Sequence, residues 1–100
     1  TRKVEWIFGI SYNDDIDKAK QIIRDTVFTD KRVLDPENEY FINVSELADS
    51  SVNIKVRATV AGADYWQVLF DMTERVKKEF DKSGISIPFP QRDVHMFKAN

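Results

Sequence analysis

The densest group of side chains that could do chemistry is an acidic cluster at residues 13–17. Closely spaced carboxylates and amides are the oxygen ligands that Ca²⁺ prefers, so the cluster first suggests a calcium-binding loop. Its spacing argues against that site, because Lys18 stands where the loop needs glycine and Arg24 where it needs a bidentate glutamate. We predict instead that Asp14 or Asp15 caps the N-terminus of a helix, where a carboxylate accepts hydrogen bonds from free backbone N–H groups.

Motifs for a nucleophile, a transition metal or a bound phosphate are also missing. The chain has no cysteine, and a metal site would have to combine its one histidine, His95, with carboxylates alone. Ser11 follows Gly9 but lacks the second glycine of a nucleophile elbow. The three glycines are isolated, so they form no phosphate-binding loop. We therefore predict that the protein is not an enzyme and has no catalytic, metal-binding or cofactor-binding residues and no cofactor.

The charge balance argues against nucleic acid and anionic membranes as partners. The 100 residues carry 15 Lys and Arg against 17 Asp and Glu, a formal charge of −2, whereas both of those partners select basic surfaces. No apolar run approaches the ~20 residues of a membrane helix, so the chain is expected to be soluble and not to span a bilayer. It begins with Thr1 in strand-like sequence, and we expect it to be a fragment of something longer.

Two amphipathic helices are predicted. The first follows the acidic cluster. The second is predicted to begin at Asp64, as an N-cap that forms a capping box with Gln67, and to end at Gly84, which can adopt positive φ after a lysine-rich last turn. Apolar residues recur at the spacing of three and four that forms one face of a helix. These stripes are Ile16, Ala19, Ile23 and Val27 in the first helix and Leu69, Met72, Val76 and Phe80 in the second.

Alternating apolar residues predict three strands, near residues 3–11, 40–45 and 52–60. The order strand, helix, strand, strand, helix and a short extended tail predicts an α+β fold of the ferredoxin-like split β-α-β type, with an antiparallel sheet and both helices on one face. The first and third strands should lie side by side in the middle, with Glu5 near Lys55 or Arg57. We expect a core that includes Ile10, Ile23, Val27, Val56, Leu69, Met72, Val76 and Phe80.

The fold raises an RNA-binding alternative, since RNA-recognition domains share this layout. Those domains stack bases on aromatic rings of the exposed sheet face. The strand at residues 52–60 offers only Asn53, Lys55, Arg57 and Thr59 on that face, so we predict no nucleic-acid partner.

Trp66 and Phe70 lie one helical turn apart, to one side of the second stripe. Two interpretations are open: a wider core face that covers the helix edge, or a contact with another subunit or domain, since aromatic residues are enriched at interfaces.

Several segments together resemble a known family, the small-conductance mechanosensitive channels, in their C-terminal cytoplasmic α/β domain. The resemblance covers nearly the whole chain, and its most specific segment is the closing run Phe-Asp-Lys-Ser-Gly-Ile-Ser-Ile-Pro-Phe-Pro-Gln-Arg-Asp-Val. The segments lie, in the family's order, at residues 8–12, 15–20, 32–34, 45–47, 49–53, 56–57 and 80–94.

The resemblance implies a role that periodicity could not show. These channels are homoheptamers of the bacterial inner membrane that release ions and osmolytes on hypo-osmotic shock, and this domain is a wall of their cytoplasmic cage. It implies a cytoplasmic domain at residues 1–91 and a tail at 92–100, in which 92–97 give one strand to a small barrel. The partners would be copies of itself, with the membrane reached only through the missing transmembrane part. A ferredoxin-like regulatory module that binds a small ligand is the alternative. The candidate subunit contacts are Trp66, Phe70, Pro88, Phe89, Pro90, Gln91, Val94 and Met96.

Overall fold

The computed structural model describes residues 1–88 and has an α+β fold, as predicted. Within residues 1–88, four strands form one sheet and two helices pack against it. In chain order the elements are β1 (Arg2–Ile10), α1 (Ile16–Val27), β2 (Val33–Leu34), β3 (Tyr40–Leu47), β4 (Val52–Val60), a 3₁₀ turn (Gly62–Asp64) and α2 (Tyr65–Lys82).

The sheet is antiparallel and is organised around β4. β1 pairs along one side of β4, with Trp6 opposite Val56, and β3 pairs along the other side, with Ile42 opposite the same residue. The adjacency of β1 and β4 was predicted, but the prediction that both lie in the middle is wrong for residues 1–88, where β1 pairs only with β4 and forms an edge. The two-residue strand β2 is not among the three predicted strands, and it pairs with the end of β4 beyond β3.

Both helices cover the same face of the sheet. α2 contacts β1, α1 contacts β3, and the helices contact each other. Seven of the eight predicted core residues are buried, while Leu69 is only partly buried and Val68 lies in the core instead. The four buried residues of α2 therefore recur at every fourth position. They are Val68, Met72, Val76 and Phe80.

The opposite face of the sheet is polar, because side chains alternate along each strand. Glu5 accepts a hydrogen bond from Nη2 of Arg57 at 3.0 Å, and Nζ of Lys55 lies 4.0 Å from the same carboxylate. Both predicted cross-strand pairs are thus present. The Arg57 guanidinium also lies 4.8 Å from the centre of the Phe41 ring, while Ile7 is 58% exposed on this face.

Two of the three predicted helix ends agree with the structure. Asp15 caps α1 by accepting hydrogen bonds from the N–H groups of Asp17 and Lys18, and Gly84 adopts a φ of 76° after α2. The capping box predicted for α2 is wrong. Asp64 is already in a helical conformation at the end of the 3₁₀ turn, so its side chain makes no cap hydrogen bond.

Candidate functional site

The most strongly linked ionic group joins the loop after α1 to α2. Nε and Nη2 of Arg32 each donate to a different oxygen of Asp30 at 2.9 Å, and Nη1 donates to Asp71 at 2.9 Å. Arg75 approaches Asp30 at 3.6 Å. Because Arg32 is held by two carboxylates and the Asp30 side chain is only 9% exposed, the group is positioned to fasten two elements.

The electrostatics of this group also indicate a structural role. Hydrogen bonds from Arg32 lower the pKa of both Asp30 and Asp71, against the opposing effect of desolvation. The two carboxylates raise the pKa of Arg32 further above its ordinary value. All three groups are therefore charged at neutral pH, whereas a general acid or base needs a pKa near the working pH.

The acidic cluster at residues 13–17 is used within the chain. Asp15 caps α1, and the Asp14 carboxylate accepts hydrogen bonds from the N–H groups of Ser11 and Ser86, both at 3.1 Å. Within the described residues 1–88, no group of three or more His, Cys, Asp or Glu side chains could hold a metal ion.

A surface cleft of about 500 Å³ lies between the end of α1 and the loop before β3. Its floor is aromatic, because the Phe28 and Tyr40 ring centres lie 4.7 Å apart. The Arg24 guanidinium lies over the Tyr40 ring at 5.5 Å, so the chain supplies its own cation to this surface.

The two aromatic residues singled out on α2 form an exposed patch. Trp66 and Phe70 are 60% and 61% exposed, and their rings stack with centres 6.0 Å apart and an interplanar angle of 29°. The interpretation that they cover the edge of the core is wrong, because Tyr65 takes that place. The Tyr65 ring packs edge-on against Trp66 and carries the Arg2 guanidinium at 3.7 Å on its face. The interpretation as a subunit contact remains.

The chain leaves α2 along a fixed path. The Ile85 N–H donates to the carbonyl of Phe80 and its side chain is buried, while the Ser86 carbonyl accepts from the Ser11 N–H at 3.3 Å. Nζ of Lys18 donates to the Ser83 carbonyl at 2.9 Å. Pro88, the last described residue, is half-buried. The other predicted contacts and the lone histidine lie outside the described residues: Phe89, Pro90, Gln91, Val94, His95 and Met96.

The structure adds a second exposed apolar patch that sequence reasoning missed. Val44 and Leu47, in β3, are 37% and 69% exposed, and Tyr12 is 52% exposed. The Tyr12 hydroxyl donates to the Ala48 carbonyl, which places its ring beside the end of β3. A bulge between Val44 and Glu46 shifts the register so that Leu47 lies opposite the buried Val52. The broken alternation of β3 was the available signal.

Comparison with known proteins gives a consistent result. The family model described as mechanosensitive ion channel MscS, C-terminal, matches residues 4–87. The chain is 41% identical, over 98% of its length, to a small-conductance mechanosensitive channel of Edwardsiella ictaluri, of which it covers 34%. It is 37% identical, over 97% of its length, to an uncharacterized MscS family protein of Synechocystis, of which it covers 32%.

A solved structure agrees with this result. The chain is similar to Helicobacter pylori MscS in its closed state, with a TM-score of 0.79 and 29% identity over 88% of this chain and 35% of that chain. The chain thus spans about a third of the length of the relatives that it matches. Among residues 1–88, no helix is both long and apolar enough to cross a membrane.

Proposed function

The chain belongs to the MscS family of mechanosensitive ion channels, and from that premise we propose that it is a wall of the cytoplasmic cage of a homoheptameric channel. The complete channel would lie in the bacterial inner membrane and release ions and osmolytes on hypo-osmotic shock. This domain would neither conduct nor catalyse. Its role would be to shape the cage and hold neighbouring subunits together.

The observation that carries the proposal is the joint agreement of sequence and fold. The family match extends over residues 4–87, and the fold is similar to that of Helicobacter pylori MscS over 88% of the chain. The side-chain chemistry supports the same role. In the part of the chain that the structure describes, the group formed by Asp30, Arg32 and Asp71 fastens a loop to α2, and large apolar side chains such as Trp66 and Phe70 are exposed.

We propose a division at residue 91, with a domain at 1–91 and a tail at 92–100 that gives a strand to a barrel shared by the subunits. The path after α2 supports this division. The Ser86 carbonyl accepts from Ser11 at the end of β1, so a strand that continued along β1 would point every second N–H from Ser86 onward toward β1. Pro88 and Pro90 stand at those positions and have no N–H to donate. A tail that leaves the sheet avoids this loss.

The proposed subunit contacts are those of the tail and of the exposed rings on α2. In the tail region they are Pro88, Phe89, Pro90, Gln91, Val94 and Met96, and on α2 they are Trp66 and Phe70.

A chimeric channel tests the proposal. The chain would replace the matching C-terminal third of the Edwardsiella ictaluri channel, with which it shares 41% identity, in bacteria that lack their own mechanosensitive channels. We expect a heptamer by native mass spectrometry and survival after a hypo-osmotic shock. The matched control is the same chimera truncated after residue 91, which should assemble poorly. A chimera that reaches the membrane at normal abundance, yet neither assembles nor protects the cells, would contradict the proposal.

A further inference from the structure

The aromatic cleft beside the end of α1 has the chemistry of a cation-binding site. Its volume of about 500 Å³ is within the range of small-molecule sites. Phe28 and Tyr40 both line it, and Phe28 is buried, whereas Tyr40 is 40% exposed. The face of an aromatic ring carries negative charge density, which attracts cations. The Tyr40 ring is therefore accessible to a positively charged ligand.

Negative charge lies beside the rings. Asp25 and Glu37 line the cleft, and among residues 1–88 neither of them forms an ion pair. Asp25 accepts a hydrogen bond from the neutral side chain of Gln21. The helix α1 also ends here, at Val27, and the C-terminal end of a helix dipole is negative. These groups favour a cation over an anion as the ligand.

The positive charge that the chain itself supplies is held loosely. The Arg24 guanidinium lies 5.5 Å from the centre of the Tyr40 ring, close to the limit of about 6 Å for a cation–π contact. By comparison, the Arg2 guanidinium lies 3.7 Å from the centre of the Tyr65 ring. Arg24 is exposed, and in the described part of the chain it forms no ion pair. A ligand cation could therefore displace Arg24 from the ring at little cost.

The loop wall of the cleft is already formed. Pro36 and Glu37 belong to a loop in which the Asp35 carbonyl accepts hydrogen bonds from the N–H groups of Asn38 at 3.2 Å and Glu39 at 2.8 Å. The Asn38 side chain also donates to the Asp35 carboxylate at 3.0 Å. Asp35 has a φ of 47°, a conformation that Asp adopts more readily than most residues. Because these bonds hold the loop in place, a ligand would not have to order it.

We propose that this cleft binds a small organic cation of the trimethylammonium type, which lies against the Tyr40 ring with the carboxylates of Asp25 and Glu37 close to it. Aromatic faces recognise such ions, which have no N–H group to donate. A metal ion would need several oxygen ligands instead, and no group of three or more acidic or histidine side chains within residues 1–88 could hold one. The inference goes beyond the proposed function and does not depend on assembly.

Titration of the 100-residue chain with choline, followed by amide chemical shifts, tests the proposal. We expect saturable shifts confined to residues 24–29 and 36–40. The control ligand is the neutral isostere of choline, in which carbon replaces the charged nitrogen. This isostere, and sodium chloride at equal ionic strength, should cause no saturable shift. Equal shifts from choline and its neutral isostere, or no saturable shift with choline, would overturn the proposal.

Substitutions in the cleft should change the affinity for choline in opposite directions. Tyr40→Leu keeps apolar bulk but removes the ring, and should weaken binding at least about threefold. Glu37→Gln should also weaken binding, because it removes a negative charge. Arg24→Gln should strengthen binding at least about twofold, because it removes the cation that competes for the ring. Weaker binding by Arg24→Gln would contradict the proposal.

The matched control for Arg24→Gln is Arg57→Gln. Arg57 lies 4.8 Å from the centre of the Phe41 ring on the polar sheet face, so its substitution also removes a guanidinium from an aromatic ring and changes the net charge equally. The affinity for choline should not change. An equal gain in both variants would show that the effect is one of net charge and would overturn the proposal. Amide shifts outside the cleft show whether each variant is folded.

Trimethylammonium groups occur both in free solutes and in the headgroups of choline lipids. Co-sedimentation of the chain with phosphatidylcholine vesicles separates these sources. Choline binding without co-sedimentation would identify a free solute, and co-sedimentation that is lost in Tyr40→Leu would identify a lipid headgroup. Either result supports the proposed class of ligand. If choline did not bind and the chimeric channel still formed a heptamer, the proposed function would stand without this inference.

Discussion

The two flanks of α2 differ in chemistry: one carries charges that are paired within the chain, and the other carries exposed aromatic rings. On the flank toward α1, Asp71 and Arg75 belong to an ionic group in which each charge has a partner from the same chain. On the other flank, Trp66 and Phe70 expose more than half of their surface. Burying a charge without a partner is costly, so ionic groups must be satisfied inside the domain. Exposed aromatic rings carry no such penalty, so they can stay in contact with solvent until another subunit binds to them. The contrast separates the surface that stabilises the domain from the one we assign to assembly.

The buried stripe between the two flanks should contribute most to the free energy of unfolding. Phe80 is fully buried and packs edge-on against Phe8, with ring centres 6.1 Å apart. We expect Phe80→Ala to lower the free energy of unfolding by about 3–5 kcal/mol, because the lost side chain leaves a cavity. Urea denaturation measures this loss. A variant that unfolds at the same urea concentration as the unmodified chain would show that the stripe contributes no more than the flanks.

The ionic flank should have an intermediate effect. Arg32→Gln leaves Asp30 and Asp71 without their main partner, and we expect a loss of about 1–3 kcal/mol in the free energy of unfolding. The matched control is Lys78→Gln, which breaks an exposed pair with Glu74 and should cost at most about 0.5 kcal/mol. Equal effects of the two substitutions in chemical denaturation would remove the distinction between this flank and ordinary surface.

Acid should weaken the same flank. Hydrogen bonds from Arg32 lower the pKa of Asp30 and Asp71 in the folded chain, whereas in the unfolded chain both stay near ~3.9. The unfolded state therefore binds more protons, and this stabilisation is present above about pH 4 and is lost as the pH falls through the lowered folded values. Thermal melts of the unmodified chain should lose more between pH 5 and pH 2.5 than those of Arg32→Gln. Parallel curves for the two proteins would contradict the assignment.

The aromatic flank should have the smallest effect on stability. Trp66→Ser removes a ring that is 60% exposed, so we expect the free energy of unfolding to change by at most about 0.5 kcal/mol. The same substitution should weaken association, which sedimentation can measure on the identical sample. A loss of stability as large as that of Arg32→Gln would show that the Trp66 ring stabilises the fold. The two flanks would then no longer differ in their contribution to stability.

Periodicity was sufficient for most of the architecture, because the core uses simple alternation. The even-numbered residues of β1 and β4 are all buried apart from Arg2. The choice between Val68 and Leu69 was harder, since both are apolar and flank the true centre of the stripe. The capping-box prediction was wrong because the 3₁₀ turn extends the helical conformation backward over Asp64. No residue type in this segment predicts that turn.

The sites were less predictable than the fold. Trp66 and Phe70 could be singled out by their spacing, but their exposure depends on how α2 is rotated against the sheet. The exposure of Leu47 on the core face of the sheet could be recognised only from the structure, because it depends on the bulge in β3 and on how far α1 extends over that strand. The bond between Arg32 and Asp71 joins residues 39 positions apart, a distance over which sequence pattern gives no pairing information.

The fastening at Asp14 gives the domain a mechanical anchor. One carboxylate holds the end of β1, at Ser11, and the chain after α2, at Ser86, while Lys18 holds the Ser83 carbonyl. A pull on the chain beyond Pro88 therefore reaches the sheet and α1 directly, before it can unwind the last turn of α2. Several hydrogen bonds share that load and must break nearly together. These contacts thus tie the segment after α2 to both β1 and α1 before it leaves the described part of the chain.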